Sequence, residues 1–468
     1  MFTPGRYVAI DDNRDELRLL VDALHELGAP CVGIHYKPDK GVDAAKLRGV
    51  RILFLDLHLL GGMQGADDAM TFEVIRELLD TGITPDAGPY VIVLWTSHAE
   101  KREPFQQYLV ERLDRLKLPL AILSLDKKKY LGGGKADGEA LQTDIFNAIS
   151  TDPRLQALLN WEKDVLAAAG ATLAAVGALV DPVFRTPADY GEKLDQVISV
   201  LARAAAGKDH AAANVKAAVN GALAPILADR ILNRGPDAES EAIWNAAITH
   251  VADAAPLGEA EAARINTMLH LALPPAEPVA PTDWGALLVV PDEELVEERM
   301  LARFSLSAGQ LKHASCPARK SSGKKKCLQA LLRLGASCDY AQNKIGPIAY
   351  VSCLVVPIGV ELRDANSISK AVLATPVLDV PEVGPARIFV DARYQITLVA
   401  NDVAHLAATG RIREQLLMQV AAHCAEYVMR PGIVSIEPGI PEPEVEEAAC
   451  GVSCGTAAAA AAPSSKTS

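Results

Sequence analysis

The chain has 468 residues, 50% of them hydrophobic, too long for one ordinary core and apolar enough to fill two or three. A formal net charge of -13, from 46 basic and 59 acidic residues, argues against a general nucleic-acid or membrane-surface binder. Eight cysteines over that length are too dilute for a disulfide scaffold and no secretory signal precedes the first strand, so reduced thiols in a cytoplasmic setting are expected.

Residues 1–150 alternate short apolar strands with amphipathic helices, the pattern of a doubly wound parallel sheet. The strands expected are "YVAID" (7–11), "CVGIHY" (31–36), "ILFLD" (52–56), "YVIVLWT" (90–96) and "LAILSLD" (120–126). "ILFL" has no alternating polar partner, as in a strand covered on both faces, so Asp56 at its end needs a compensating partner. Between strands, "RDELRLLVDALHELG" carries Leu17, Leu20, Val21, Leu24 and Leu27 at helical spacing before a Gly28 stop, and "DDAMTFEVIRELLDTG" repeats the pattern with Phe72, Ile75, Leu78 and Leu79.

Residues 151–275 turn Ala- and Leu-rich and predict helical hairpins or a small bundle. The uncharged run Val165–Val180 is shorter than the roughly 20 apolar residues that span a bilayer and reads as a buried bundle helix. "LPPAEPVAPTD" (273–283) is a Pro-rich linker. Residues 276–436 predict a mixed, β-rich α+β domain, with strands at "GALLVV", "ALLRLGASCDY", "YVSCLVVPIGVEL", "ARIFVDA" and "YQITLVA" and a closing helix "RIREQLLMQVAAHCAEYVM". Residues 437–468 have the composition of a disordered tail.

In an open parallel sheet, ligands bind outside the carboxyl ends of the strands, near the point where strand order reverses. Here those ends carry Asp11 and Asp12, Asp56, Thr96 with Ser97, and Lys127. Carboxylates brought together repel, and burial raises the cost, so a hard divalent cation such as Mg2+ is the natural compensator. A lysine and a hydroxyl beside it complete a phosphate cradle.

The acidic pair in "AIDDN", the aspartate in "ILFLDLHLLGG", the hydroxyl in "VIVLWTS" and the lysine in "LSLDKK" together resemble the response-regulator receiver domain, over about residues 5–150. The resemblance implies a flavodoxin-like fold, Mg2+ held by Asp11, Asp12, Asp56 and the backbone carbonyl of His58, and Asp56 as phosphoacceptor. It further implies that Thr96 hydrogen-bonds the phosphoryl group and that Lys127 pairs with it. A sensor histidine kinase is the implied partner, and self-phosphorylation the only catalysis.

The chain departs from the family pattern in several places. The stretch from Asp56 to Thr96 is long, with "GGMQGADD" and "TGITPDAG" as insertions; Lys128 rather than proline follows Lys127; and Ser124 holds the aromatic switch position. These departures touch the signalling surface more than the chemistry.

After residue 150 no recognition-helix pair or basic stripe stands out, so the expected output is protein interaction or phosphate competition with a second receiver-containing effector. The basic run "PARKSSGKKK" (317–326) reads as a solvated loop, and Cys316, Cys327, Cys338 and Cys353 with His313 lack zinc spacing. The overall layout is similar to response regulators of bacterial anti-phage systems. Two alternatives stand beside this reading: a phosphorylation-gated enzyme with a thiol site at Cys338 and Asp339, drawing on a histidine such as His423, and a pseudo-receiver scaffold in which Asp56 is a structural acid.

Overall fold

The computed structural model describes residues 5–60, 68–85, 88–131, 138–150, 152–235, 237–274, 276–315, 327–344, 346–362 and 368–430. Most of the first insertion, Asp86 and Ala87 of the second, Cys316, the basic run and the 437–468 tail therefore lie outside the described residues. The chain divides into two compact units, Met1–Leu257 with Ala336–Ile345, and Gly258–Gly335 with Gly346–Ser468.

The first unit begins with β1 (Tyr7–Asp11), α1 (Arg14–Glu26), β2 (Cys31–His35), β3 (Ile52–Leu55), α2 (Asp68–Gly82), β4 (Val91–Thr96), α3 (Arg102–Arg112), β5 (Ala121–Asp126), α4 (Lys128–Leu131) and α5 (Gly138–Ile149). The five strands pair only in parallel, in the order β2-β1-β3-β4-β5. This is the flavodoxin-like doubly wound sheet, and its order reverses between β1 and β3.

Alternation within the strands feeds two cores. Val8, Ile10, Leu53, Leu55, Ile92 and Leu94 face α2 and α3, where Phe72, Ile75, Leu79, Phe105 and Leu109 meet them. Ala9, Ile52, Phe54, Val91, Val93 and Trp95 face α1 and α5, against Leu17, Leu20, Leu24, Leu141 and Ile145. Each such side chain contributes about 1.5–3 kcal/mol on leaving water, which is why these strands show no polar face. Asn13 caps α1, its side chain accepting from the amides of Asp15 and Glu16, and those two acids sit where the helix dipole favours them.

Five helices follow: α6 (Pro153–Ala178), α7 (Tyr190–Ala206), α8 (Lys208–Ala213), α9 (Val215–Leu232) and α10 (Ala238–Ala247). Glu162 on α6 meets Arg6 at 2.5 Å and Arg51 at 3.4 Å, tying the bundle to the amino ends of β1 and β3. The Val165–Val180 run is helical through Ala178 but not buried as expected. Ala168, Thr172 and Val176 form its covered stripe, while Leu166 and Leu173 are 58% and 67% exposed. A stripe repeating every four residues covers one side of a helix and leaves the other to solvent.

The second unit holds α11 (Glu259–His270), β6 (Leu271–Ala272), β7 (Ala286–Val289), α12 (Glu297–Phe304), α13 (Ala308–Ser315) and β8 (Leu328–Arg333). After α14 (Ser337–Ala341), which belongs to the first unit, come β9 (Ile348–Pro357), β10 (Val372–Ala374), β11 (Leu378–Val380), β12 (Gly384–Leu398), α15 (Ala400–Val403), β13 (Ala408–Ile412) and α16 (Glu414–Met429). The strands form one antiparallel sheet, β10-β12-β9-β8-β7-β13-β6, with β11 also on β12. Leu416, Leu417 and Val420 of α16 share its core with Val351, Val355, Ile388 and Val390.

Three expectations are corrected here. The segment "GASCDY" does not continue β8, because Gly335 takes a φ of +108 and the chain turns into α14. "ARIFVDA" and "YQITLVA" belong to one strand, β12, whose register against β9 shifts between Val390 and Gln395. That bulge places Asp391 inside, where Arg393 holds it at 2.7 Å. Finally, Arg411 and Ile412 pair with β6 as strand, so the closing helix starts at Glu414.

Gly285 carries a φ of +85, and a Cβ there would stand 2.5 Å from the Ile412 carbonyl oxygen and 3.0 Å from Leu417. Backbone strain and a backbone clash combine, so Gly285→Ala is expected to lower the second unit's stability by about 2 kcal/mol or more. Urea unfolding of the two proteins measures this, and a difference below about 0.5 kcal/mol would contradict it.

Candidate functional site

Four strands deliver the polar residues to one edge. Asp11 ends β1, Asp56 follows the last residue of β3, Thr96 ends β4 and Lys127 follows β5. Backbone bonds fix these positions before any side chain is considered: the Asp56 amide donates to the Ile10 carbonyl at 3.0 Å, and the Lys127 amide to the Thr96 carbonyl at 3.0 Å. Because all strands run the same way, their carboxyl ends converge, and Asp11 and Asp56 flank the point where strand order reverses.

Lys127 Nζ lies at the centre, 2.8 Å from Asp11 Oδ2, 3.0 Å from Asp56 Oδ2 and 2.6 Å from Glu16 Oε2. The other Asp11 oxygen accepts from the Asn13 amide at 2.7 Å, and the other Asp56 oxygen from the His58 amide at 3.2 Å. Asp12 is half-buried beside them, its carbonyl 2.8 Å from the His35 ring. Thr96 is fully buried, its hydroxyl oxygen accepting from the His98 amide at 3.2 Å. The rings of His58 and His98 stand 4.7 Å apart, three residues beyond the end of β3 and two beyond the end of β4.

The charges do not balance locally. Burial pushes the Asp11 carboxyl up to about 6, against the lowering effect of Lys127. Asp12 is also raised, by burial and by the nearby Asp56. Burial acting alone would lower Lys127, but Asp56 and Asp11 overcome it and raise the ammonium to about 12. The two ends of the ion pair both shift upward because one ammonium answers several carboxylates, whereas among the described residues Asp11 has a single cation to answer it. Burial holds His58 below its ordinary value, with Asp56 opposing.

Oxygens of Asp11, Asp12 and Asp56 lie within 4.8 Å of one another, the group among the described residues that could hold a metal ion. Three carboxylates, two of them buried, form a hard, electron-rich donor set short of positive charge, which fits Mg2+. The structure thus brings together Asp11, Asp12, Asp56 and Lys127, and it sets Thr96 at the end of the neighbouring strand.

Glu16 is a member of this cluster that sequence reasoning did not single out. Its spacing from Asn13, a cap followed three residues later by glutamate, marks a helix start, and that signal says nothing of Lys127. Trp95 was also missed. Its ring lies 5.8 Å from Lys127 Nζ and stacks on Tyr130 at 5.6 Å, and its buried indole N–H has no hydrogen-bond partner among the described residues.

Elsewhere, Cys338 is exposed and its thiol lies 3.7 Å from Asp339, a carboxylate that Lys344 holds at 2.5 Å. His423 belongs to the second unit, its Nε2 3.2 Å from the Ala371 carbonyl. Among the described residues no helix is long and apolar enough to cross a membrane.

No protein-family model matches the sequence, and no curated protein matches it. Among solved structures, full-length FixJ from B. japonicum matches at 14% identity and a TM-score of 0.20, over 50% of this chain and 93% of the FixJ chain. At that score the likeness adds nothing to what the residues themselves show.

Because Asp11 holds its proton more tightly folded than unfolded, its contribution to stability falls as pH rises from about 4 to about 6 and is constant above that. Without Mg2+, Asp11→Asn is therefore expected to gain on the wild type by about 1–2 kcal/mol across that window. Urea unfolding of both proteins at pH 4, 5, 6 and 7 reads the difference. A wild type that instead gains on the variant would mean that pairing with Lys127 outweighs burial.

Proposed function

We propose that the first unit is a phosphoacceptor of the receiver type, with Asp56 as the nucleophile. The observation that carries this reading is Lys127 Nζ held between Asp11 and Asp56, with Asp12 completing an oxygen cluster at the switch point of a parallel sheet.

In the proposed reaction an Asp56 oxygen attacks the phosphorus of a phosphohistidine on a sensor histidine kinase. The new P–O bond forms as the P–N bond breaks, and the imidazole leaves with the electron pair and takes up a proton. Asp11, Asp12, Asp56 and the His58 carbonyl would hold Mg2+, which supplies positive charge to the transferring oxygens. Lys127, 3.0 Å from Asp56, offers an ammonium to the same oxygens, and the Thr96 hydroxyl is the proposed hydrogen-bond donor to the product. A phosphoryl group on Asp56 would then favour the conformation in which Thr96 moves toward it. The proposed output is contact with another protein, or competition for phosphate with a second receiver-containing effector. An anti-phage setting is suggested by domain layout alone.

A second reading has one observation in its favour. Lys127 already has a carboxylate for each of its three N–H donors, as a satisfied structural cluster would. In that case Asp56 is a structural acid and the unit a scaffold.

Intact-mass spectrometry after incubation with acetyl phosphate and Mg2+ separates the two. The expected result is an adduct of about 80 Da on the wild type that is lost in Asp56→Asn and on removal of Mg2+. No adduct from acetyl phosphate or from a candidate histidine kinase would leave the structural reading.

A further inference from the structure

Lys127 has three N–H donors, and three carboxylates occupy them. A phosphoryl group on Asp56 brings three more anionic oxygens to the same ammonium, so one present partner must withdraw for the lysine to bind it. Asp56 carries the phosphoryl group, and the Asp11 side chain is 0% exposed, with no water to receive it. The Glu16 side chain is 25% exposed and stands on the first turn of α1. Its other oxygen meets the Asn13 side-chain amide at 2.9 Å, and a helix amino terminus favours a carboxylate whether or not Lys127 holds it. Of the three, Glu16 gives up the lysine at the lowest cost.

We propose that Glu16 is a built-in competing anion: it occupies Lys127 in the resting site and must be displaced by the phosphoryl group, so that it sets how readily Asp56 accepts and keeps phosphate. Glu16 is a positioning residue here, acting through Lys127, and the inference rests on the reading of Asp56 as phosphoacceptor. It reconciles the saturated lysine with a working site. The same 2.6 Å contact that makes the cluster look structural becomes the contact that is exchanged.

The test is binding of beryllofluoride, a phosphoryl mimic, to the full chain at saturating Mg2+, by calorimetry and by tryptophan fluorescence, since Trp95 lies beside Lys127. Glu16→Gln removes the competing charge and is expected to bind beryllofluoride about three- to tenfold tighter than the wild type. Glu16→Asp keeps an acid in the first turn but shortens its reach, and is expected to shift the same way. Asp15→Asn removes a charge from the same turn at an exposed position and is expected to bind as the wild type does.

A role confined to capping α1 would lower thermal stability without tightening binding. Glu16 variants that bind equally or more weakly, with a wild type that binds, overturn the inference and leave the phosphoacceptor reading intact. A wild type that fails to bind at all, together with absence of the acetyl phosphate adduct, overturns that reading and this inference with it.

Discussion

A carboxylate stripped of water is expensive, and this chain places Asp11 and Asp56 where water scarcely reaches. The one ammonium set between them, Lys127, is the interaction on which the site depends. It comes from the far end of the sheet's chain order, 116 residues after Asp11, so the cluster forms only when β1, β3 and β5 are all in register. The compensation remains incomplete. Asp11 stays raised to about 6 despite its partner, and this residual shortage of positive charge is one reason for proposing a divalent cation at the edge.

The remainder of the first unit keeps that edge rigid. Slipping any strand by one residue would exchange its two faces, bringing side chains fitted to one core into the other, and would carry its terminal acid away from the cluster. At the opposite edge, Glu162 ties α6 to Arg6 and Arg51, so the strands that carry the acids at one end carry the attachment of the bundle at the other. The second unit follows a different logic: its strands are antiparallel, and its buried acid, Asp391, is paired on the spot by Arg393 two residues away.

Legibility in the sequence follows the range of the forces involved. The five strands of the first sheet were visible because uninterrupted runs such as "ILFL" and "VIVLWT" leave no other way to hide their side chains, and none of their bounds differs from expectation by more than one residue. In the second unit the signals were weaker. "GASCDY" looked like a continuation of β8 until Gly335 turned the chain, and the polar "DARY" looked like a break where the structure has a bulge within one strand. A bulge resembles a turn in sequence because both need a residue that escapes the ladder. The Ala-rich run after Val165 showed its helix but not its exposure, since small residues suit a buried seam and an open face equally well.

The sequence by itself determined the α/β class of the first unit, the alternation of its elements and the identity of the acids, hydroxyl and lysine at its strand ends. These follow from side-chain chemistry and local periodicity, which act over a few residues. Only the tertiary structure decided that Lys127 would answer three carboxylates at once, that Glu16 would be one of them, and that Trp95 would pack against the same ammonium. In the sequence Glu16 has only the spacing of a helix start and Trp95 only a place in an apolar strand, and neither pattern points to Lys127. Their place at the site depends on how close α1 and β4 are brought to the end of β5, a distance set by packing between elements that no local pattern encodes.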